Sequence, residues 1–130
     1  MNFEELQEKV LDWADDKDLL YPKNSEKQFM KFIEEVFEFK AEMDNNLNGE
    51  LPIDSKLKQA FFRGEIEVDE LLQKQKLGME LEMGDILVTL IILCKQLDIN
   101  PIDCLNMAYK KISKRKGKTI NGTFVKEEDL

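Results

Sequence analysis

Apolar residues recur along most of this chain at the three- and four-residue spacing of a helix, with β-type character only near its end. Phe3, Leu6, Val10, Leu11 and Ala14 share one side of a first segment, and Asn2 stands where an N-cap belongs. This helix of about twelve residues runs into the acidic stretch DDKD before Tyr21-Pro22. Ser25 and Gln28 have capping-box spacing, which predicts a second helix from Ser25 to about Asp44, broken by NNLNGELP. Phe29, Phe32, Ile33, Val36, Phe37 and Met43 fill one broad arc of that helix. Lys31, Glu34, Glu35, Glu38 and Glu42 occupy the opposite arc.

Asp54 is placed to cap a short helix through Phe62, with Phe61 and Phe62 packing on the bundle or on another subunit and Gly64 ending it. A long helix follows from about Val68 to Asp98. Its run Ile86 to Cys94 is apolar on every side and therefore reads as buried. Gly84, beside Asp85, suggests close approach of a neighbouring helix or a ligand. Asn100 caps and Pro101 starts a last helix that is expected to run to about Lys116 and stop at Gly117. In KTINGTFVKEEDL, Asn121-Gly122 between β-favouring residues predicts a short hairpin. The expectation is one all-α domain spanning residues 1–130, a bundle of four to five helices with a C-terminal β-hairpin.

The candidate chemistry lies in carboxylates. Glu82, Asp85 and Thr89 fall within a stripe roughly 60° wide at the mouth of the apolar run, because residues three and four apart share a helix face. An acid taken out of water must be protonated, paired with a cation or bound to a metal. The acids of EEVFE on the second helix read plainly as a solvated outer face. Set beside Glu82 and Asp85, they would bring four or five carboxylates together, which is tolerable around divalent cations.

Charge and composition narrow the function. The 130 residues carry a net charge of −8, which argues against general nucleic-acid binding. The stretch Lys110 to Lys118 holds six basic residues and no acid, leaving the rest of the chain at −14 once those six are taken from −8. An acidic body with one basic strip points to a small anionic ligand held together with metal ions, although helix-end lysines complementing the dipole account for two or three of the six. With no histidine, His-centred catalysis and the Glu-x-x-His halves of ferritin-like di-iron bundles are excluded. Cys94 and Cys104 lack metal or redox spacing, and they read as small core residues in a protein of the reducing cytoplasm. The start is acidic and amphipathic, unlike a signal peptide, and a nine-residue apolar run is too short for a bilayer.

QFMKFIEEVFEF followed by ELEMGDILVTL resembles the E-E-x-x-E … E-x-x-D signature of the MazG-like all-α nucleoside triphosphate pyrophosphohydrolases. The ending AYKKISKRKGKTINGTFVKEEDL looks like small members of that family from phages and prophages. The likeness covers about Leu11 to Leu130. It implies Mg²⁺, with Mn²⁺ as a substitute, held by Glu35, Glu38, Glu82 and Asp85, with Glu34 as a water-orienting catalytic group or simply a solvent-facing neighbour of Lys31. Lys111 and Arg115 match the family's K-x-x-x-R, which holds the triphosphate, and Lys31 joins them in contacting substrate. Trp13 and Tyr109 are the candidates for stacking on a base, with core packing as the alternative. The implied reaction converts a (deoxy)nucleoside triphosphate to the monophosphate and pyrophosphate, in a homodimer or homotetramer. The segment from Asn46 to Lys76 is longer than in the smallest members.

Two other readings compete. A non-catalytic regulator would keep the fold and use the acidic face for a partner, without Mg²⁺ dependence. A different Mg²⁺-dependent phosphohydrolase or a prenyl-diphosphate enzyme would also use acidic helices, but the chain is short for a prenyl cavity.

Overall fold

The computed structural model describes residues 1–47 and 55–130, and the side chains of residues 1–44 and 59–130. The described residues form five α-helices followed by a small antiparallel two-stranded sheet. The expected cap at Asp54 lies outside the described residues, as does most of the predicted break after the second helix. The chain forms two compact units, Met1–Leu97 and Asp98–Leu130.

The first unit is built on one long helix. Helix α1 spans Phe3–Asp16, α2 Ser25–Leu47, α3 Ser55–Phe62 and α4 Val68–Gln96. Helices α1, α2 and α3 all pack on α4. The predicted cap of α1 forms, with Asn2 Oδ1 accepting the Glu5 N–H at 2.9 Å. A single 3₁₀ turn, Pro22–Asn24, leads into α2. The Ser25 N–H that a capping box would offer to Gln28 donates to the Pro22 carbonyl, and Gln28 Nε2 donates to the Thr89 carbonyl at 3.2 Å. A contact between helices takes that amide because the Thr89 oxygen lies within reach and part-buried, while Thr89 Oγ1 bonds back to the Ile86 carbonyl at 2.8 Å.

Gln28 meets the Thr89 turn, whereas Glu42, four turns further along α2, lies against Gly78. The two helices are therefore antiparallel, and Gln28, Phe32, Glu35, Phe39 and Glu42, spaced by three and four, are buried or half-buried on α2, as are Ile33 and Met43 of the apolar arc. The apolar arc read from the sequence holds for Phe32, Ile33 and Met43 and fails elsewhere. Glu35, assigned to the polar side, is buried, while Phe29, Val36 and Phe37 of the apolar arc are exposed, Phe37 at 69%.

The apolar run of α4 is likewise buried only in part. Ile91, Ile92 and Cys94 are core residues with Ala14 and Leu71, but Leu87 is 41% exposed; before the run, Leu81 is 63% exposed. Gly84 has open space around it, and the close approach expected there occurs six residues earlier at Gly78, where an added Cβ would lie 3.3 Å from Glu42 Oε2. At α3 the rings of Phe61 and Phe62 sit 5.6 Å apart; Phe61 is half-buried and Phe62 exposed.

The second unit holds helix α5, Pro101–Ile112, and strands β1, Gly117–Ile120, and β2, Thr123–Lys126. Asn100 Oδ1 caps α5 by accepting the N–H groups of Ile102 and Asp103. The helix ends four residues before the expected Lys116, with Ser113 as its cap and Ser113 Oγ donating to the Lys110 carbonyl. Gly117 opens β1 and does not act as a helix stop. The hairpin turns at Asn121-Gly122, whose φ values of 51° and 80° suit a type I′ turn. No residue of α5 is buried, so Cys104, read as a core residue, is exposed. Among the described residues no helix is long and apolar enough to cross a membrane.

Candidate functional site

The antiparallel pairing of α2 and α4 carries the EEVFE segment onto the turn of Glu82. One carboxylate oxygen from each of Glu35, Glu38 and Glu82 lies within 4.8 Å of the other two. Glu35 is only 6% exposed, Glu82 is half-buried and Glu38 faces solvent. Lys31, one turn before Glu35, places its Nζ 3.1 Å from Glu35 Oε1 and 3.6 Å from Glu34 Oε2. That lysine serves one side of the cluster. Glu35 Oε2 and Glu82 Oε2 are both buried without a hydrogen-bond partner.

Three acids with one ammonium leave a surplus of negative charge in a poorly hydrated corner. The titration of the groups records it. Glu82 is pushed above the ordinary glutamate value first by its loss of water and then by the charges of Glu38, Asp85, Glu35 and Glu42. Glu38 is also raised, chiefly by the charge of Glu35. Lys31 holds its proton more tightly than a free lysine, mainly through its hydrogen bond to Glu35.

An orphaned carboxylate oxygen below the surface costs on the order of 1–3 kcal/mol or more, because the water it lost has not been replaced. Two of them in a group of three acids that Lys31 compensates only in part fit a divalent cation. The donors are all hard oxygens, which favours Mg²⁺ or Mn²⁺ over zinc.

The remaining sequence-derived candidates fall in different places. Asp85 is exposed and stands outside the 4.8 Å group, although its charge acts on Glu82. Glu34 is exposed beside Lys31. Trp13 is 52% exposed and, with Leu6, Lys9, Val10 and Val88, walls an apolar cavity of about 330 Å³. Tyr109 is 63% exposed on α5. Lys111 and Arg115 are not on one continuous helix, since α5 ends between them, yet both line a cavity of about 510 Å³ in the second unit.

Three residues went unassigned in the sequence reading. Glu42 was visible as the next acid along the arc, but its approach to Gly78 depends on helix pairing. Lys116 and Lys126 line the 510 Å³ cavity with Lys111 and Arg115. Lys116 belongs to the basic strip; Lys126 reaches it only through hairpin register, which pairs Gly117 with Lys126.

No model of a protein family matches the chain, and no curated protein or solved structure matches it either.

Proposed function

We propose that this chain is a MazG-like, Mg²⁺-dependent nucleoside triphosphate pyrophosphohydrolase acting in the cytoplasm. The observation that carries the reading is the convergence of Glu35, Glu38 and Glu82 with two buried, unpartnered carboxylate oxygens. These three would hold the metal, and Asp85, one turn from Glu82, is the fourth carboxylate that the resemblance implies. Mg²⁺ would supply charge neutralisation for phosphate oxygens and a water of lowered pKa.

The protein's own groups supply position. Lys31 pairs with Glu35 at 3.1 Å, and its half-exposed side chain has donors left for a phosphate oxygen. Glu34, held within 3.6 Å of the same ammonium, is a solvent-facing carboxylate able to orient a water and accept its proton. Lys111 and Arg115 line one cavity and would take phosphate oxygens by charge-assisted hydrogen bonds. Trp13 and Tyr109 remain the aromatic candidates for the base, both being solvent-accessible.

Self-association belongs to the same reading. Phe29 and Phe37 on α2, with Leu81 and Leu87 on α4, leave apolar surface in water that a second copy would cover.

The test is a panel of ribo- and deoxynucleoside triphosphates with Mg²⁺ and with Mn²⁺, assayed for orthophosphate before and after adding an inorganic pyrophosphatase. The expected signal appears only after that addition, with nucleoside monophosphate as co-product. Direct orthophosphate release, or no turnover on any nucleotide, would overturn the reading.

A further inference from the structure

Helices α2 and α4 each carry a row of polar side chains spaced by seven residues: Gln28, Glu35 and Glu42 on α2, and Gln75, Glu82 and Thr89 on α4. Seven residues make close to two turns, so each set keeps to one side of its helix. All six are buried or half-buried. In the antiparallel pair, Gln28 Nε2 donates to the Thr89 carbonyl at 3.2 Å, and two turns further along both helices carboxylate oxygens of Glu35 and Glu82 lie within 4.8 Å. Glu42, another two turns along α2, lies against Gly78, three residues from Gln75.

The middle of this arrangement pushes the helices apart. Glu82 stands among the charges of Glu38, Asp85, Glu35 and Glu42, and Lys31, paired with Glu35 and Glu34, offsets them only in part. Apolar contacts resist separation but guide sliding weakly, because burial has no direction. A hydrogen bond to a helix carbonyl does have one. A slip of one residue, about 1.5 Å along the axis with a turn of about 100°, would carry the Gln28 amide off the Thr89 oxygen. The tie stands two turns from Glu35 on one helix and two turns from Glu82 on the other, so it sets where both carboxylates lie without touching either. Gln96 offers a comparison on the same α4. Its Nε2 donates to the Leu19 carbonyl at 2.8 Å, fastening α4 to the segment between α1 and the 3₁₀ turn and not to α2.

We infer that Gln28 is a positioning residue: its amide holds α2 in register on α4, so that Glu35, Glu38 and Glu82 are already gathered for a divalent cation before the cation enters. This rests on the metal reading of that cluster given above. Such preorganisation is read as affinity, since an assembled site loses nothing to rearrangement on binding.

The test is Mn²⁺ binding to the full chain without nucleotide, followed by electron paramagnetic resonance of the free ion. Gln28→Met keeps the length of the side chain and removes the donor, and it should weaken Mn²⁺ binding about two- to tenfold, the reach of one neutral hydrogen bond. Gln96→Met removes an amide-to-carbonyl bond of the same kind and should lower the melting temperature while leaving Mn²⁺ affinity unchanged. Urea melts in EDTA give a second readout. The stability lost through Gln28→Met should be smaller in the parent than in Glu82→Gln, because only in the parent does the broken tie also let repelling acids part. Should Gln28→Met fail to fold, Gln28→Asn, which keeps the amide on an arm one methylene shorter, is expected to show the same loss of affinity. Parental Mn²⁺ affinity in the Gln28 variants, equal losses in Gln28→Met and Gln96→Met, or equal stability costs in the two backgrounds would overturn the positioning role. Nucleotide turnover by a parent whose Mn²⁺ affinity Gln28→Met does not change would overturn it and leave the hydrolase intact. Mn²⁺ binding that Gln28→Met weakens, in a protein that turns over no nucleotide, would do the reverse. A parent that binds no Mn²⁺ overturns both.

Discussion

In the Met1–Leu97 unit two of the three clustered acids have lost part of their water, with Glu35 only 6% exposed and an orphaned oxygen on both Glu35 and Glu82. In the Asp98–Leu130 unit the charges remain in water: no residue of α5 is buried, and the four cations of the cavity carry no ion pair among the described residues. The acids are thus under electrostatic stress even without a ligand, whereas the cations are hydrated and gain only when an anion arrives. Removing an acid should therefore change stability as well as function. Removing a cation should change binding alone, because exposed charges contribute little to folding.

The largest effect should come from the triad. Glu82→Ala or Glu35→Ala is expected to reduce Mg²⁺-dependent pyrophosphate release by more than the roughly 10- to 100-fold that losing an outer partner of a metal site costs. The measurement is kcat/KM with saturating Mg²⁺. A loss smaller than tenfold in both variants would mean that the buried acids are structural, and the contrast between the units would lose its functional meaning.

Next in size is the dependence of stability on metal and pH. Glu38 and Glu82 have folded-state values above the ordinary 4.5, so the native state binds more protons than the unfolded one between that value and the raised ones. Their contribution to metal-free stability is fully present below about 4.5 and is lost as pH rises through the raised values. Glu82→Gln should flatten this trend, seen as a difference between urea-melt midpoints of variant and parent across the acid range. Mg²⁺ reverses the sign by favouring the ionised acids. At a concentration 100 times its Kd it should add about 2.7 kcal/mol at neutral pH, measured against an EDTA control. Equal Mg²⁺ responses in the parent and in Glu82→Gln would detach the metal from this cluster.

The smallest effect concerns a glycine. Gly84→Ala meets nothing within 4 Å and removes a flexible residue from the interior of α4, so it should stabilise the chain by about 0.5–1 kcal/mol. Chemical denaturation is the readout. Destabilisation would show that another surface covers α4 beside Asp85, and comparing sedimentation of the parent and the variant would tell whether that surface is a second copy.

Much of the architecture was legible because it is local. Asn2 and Asn100 cap helices through their own side chains and the next few backbone N–H groups, and Asn121-Gly122 makes its turn from the φ preferences of two residues. The acids and the basic strip were legible for the same reason: their spacing on one helix needs no partner to be read. The end of α5 was not, because the hairpin claims Gly117 for a strand, and a helix-stop signal looks the same in either role.

Partner choice was decided only in three dimensions. A periodic pattern says that a helix has two faces but not which of them a neighbour will take, and α2 turns Glu35 inward while leaving Phe37 in water. That inversion made the orphaned oxygens and put Glu82, more than forty residues away in sequence, within reach of Glu35 and Glu38. Gly78 rather than Gly84 became the point of close approach for the same reason, since Glu42 arrives there from another helix. Lys126 joined the basic cavity through strand register. The sequence by itself determined which residues could form helices, caps, a turn and two oppositely charged segments. The tertiary structure decided which of those charges would lose their water, and desolvation is a property of packing between segments that no single segment encodes.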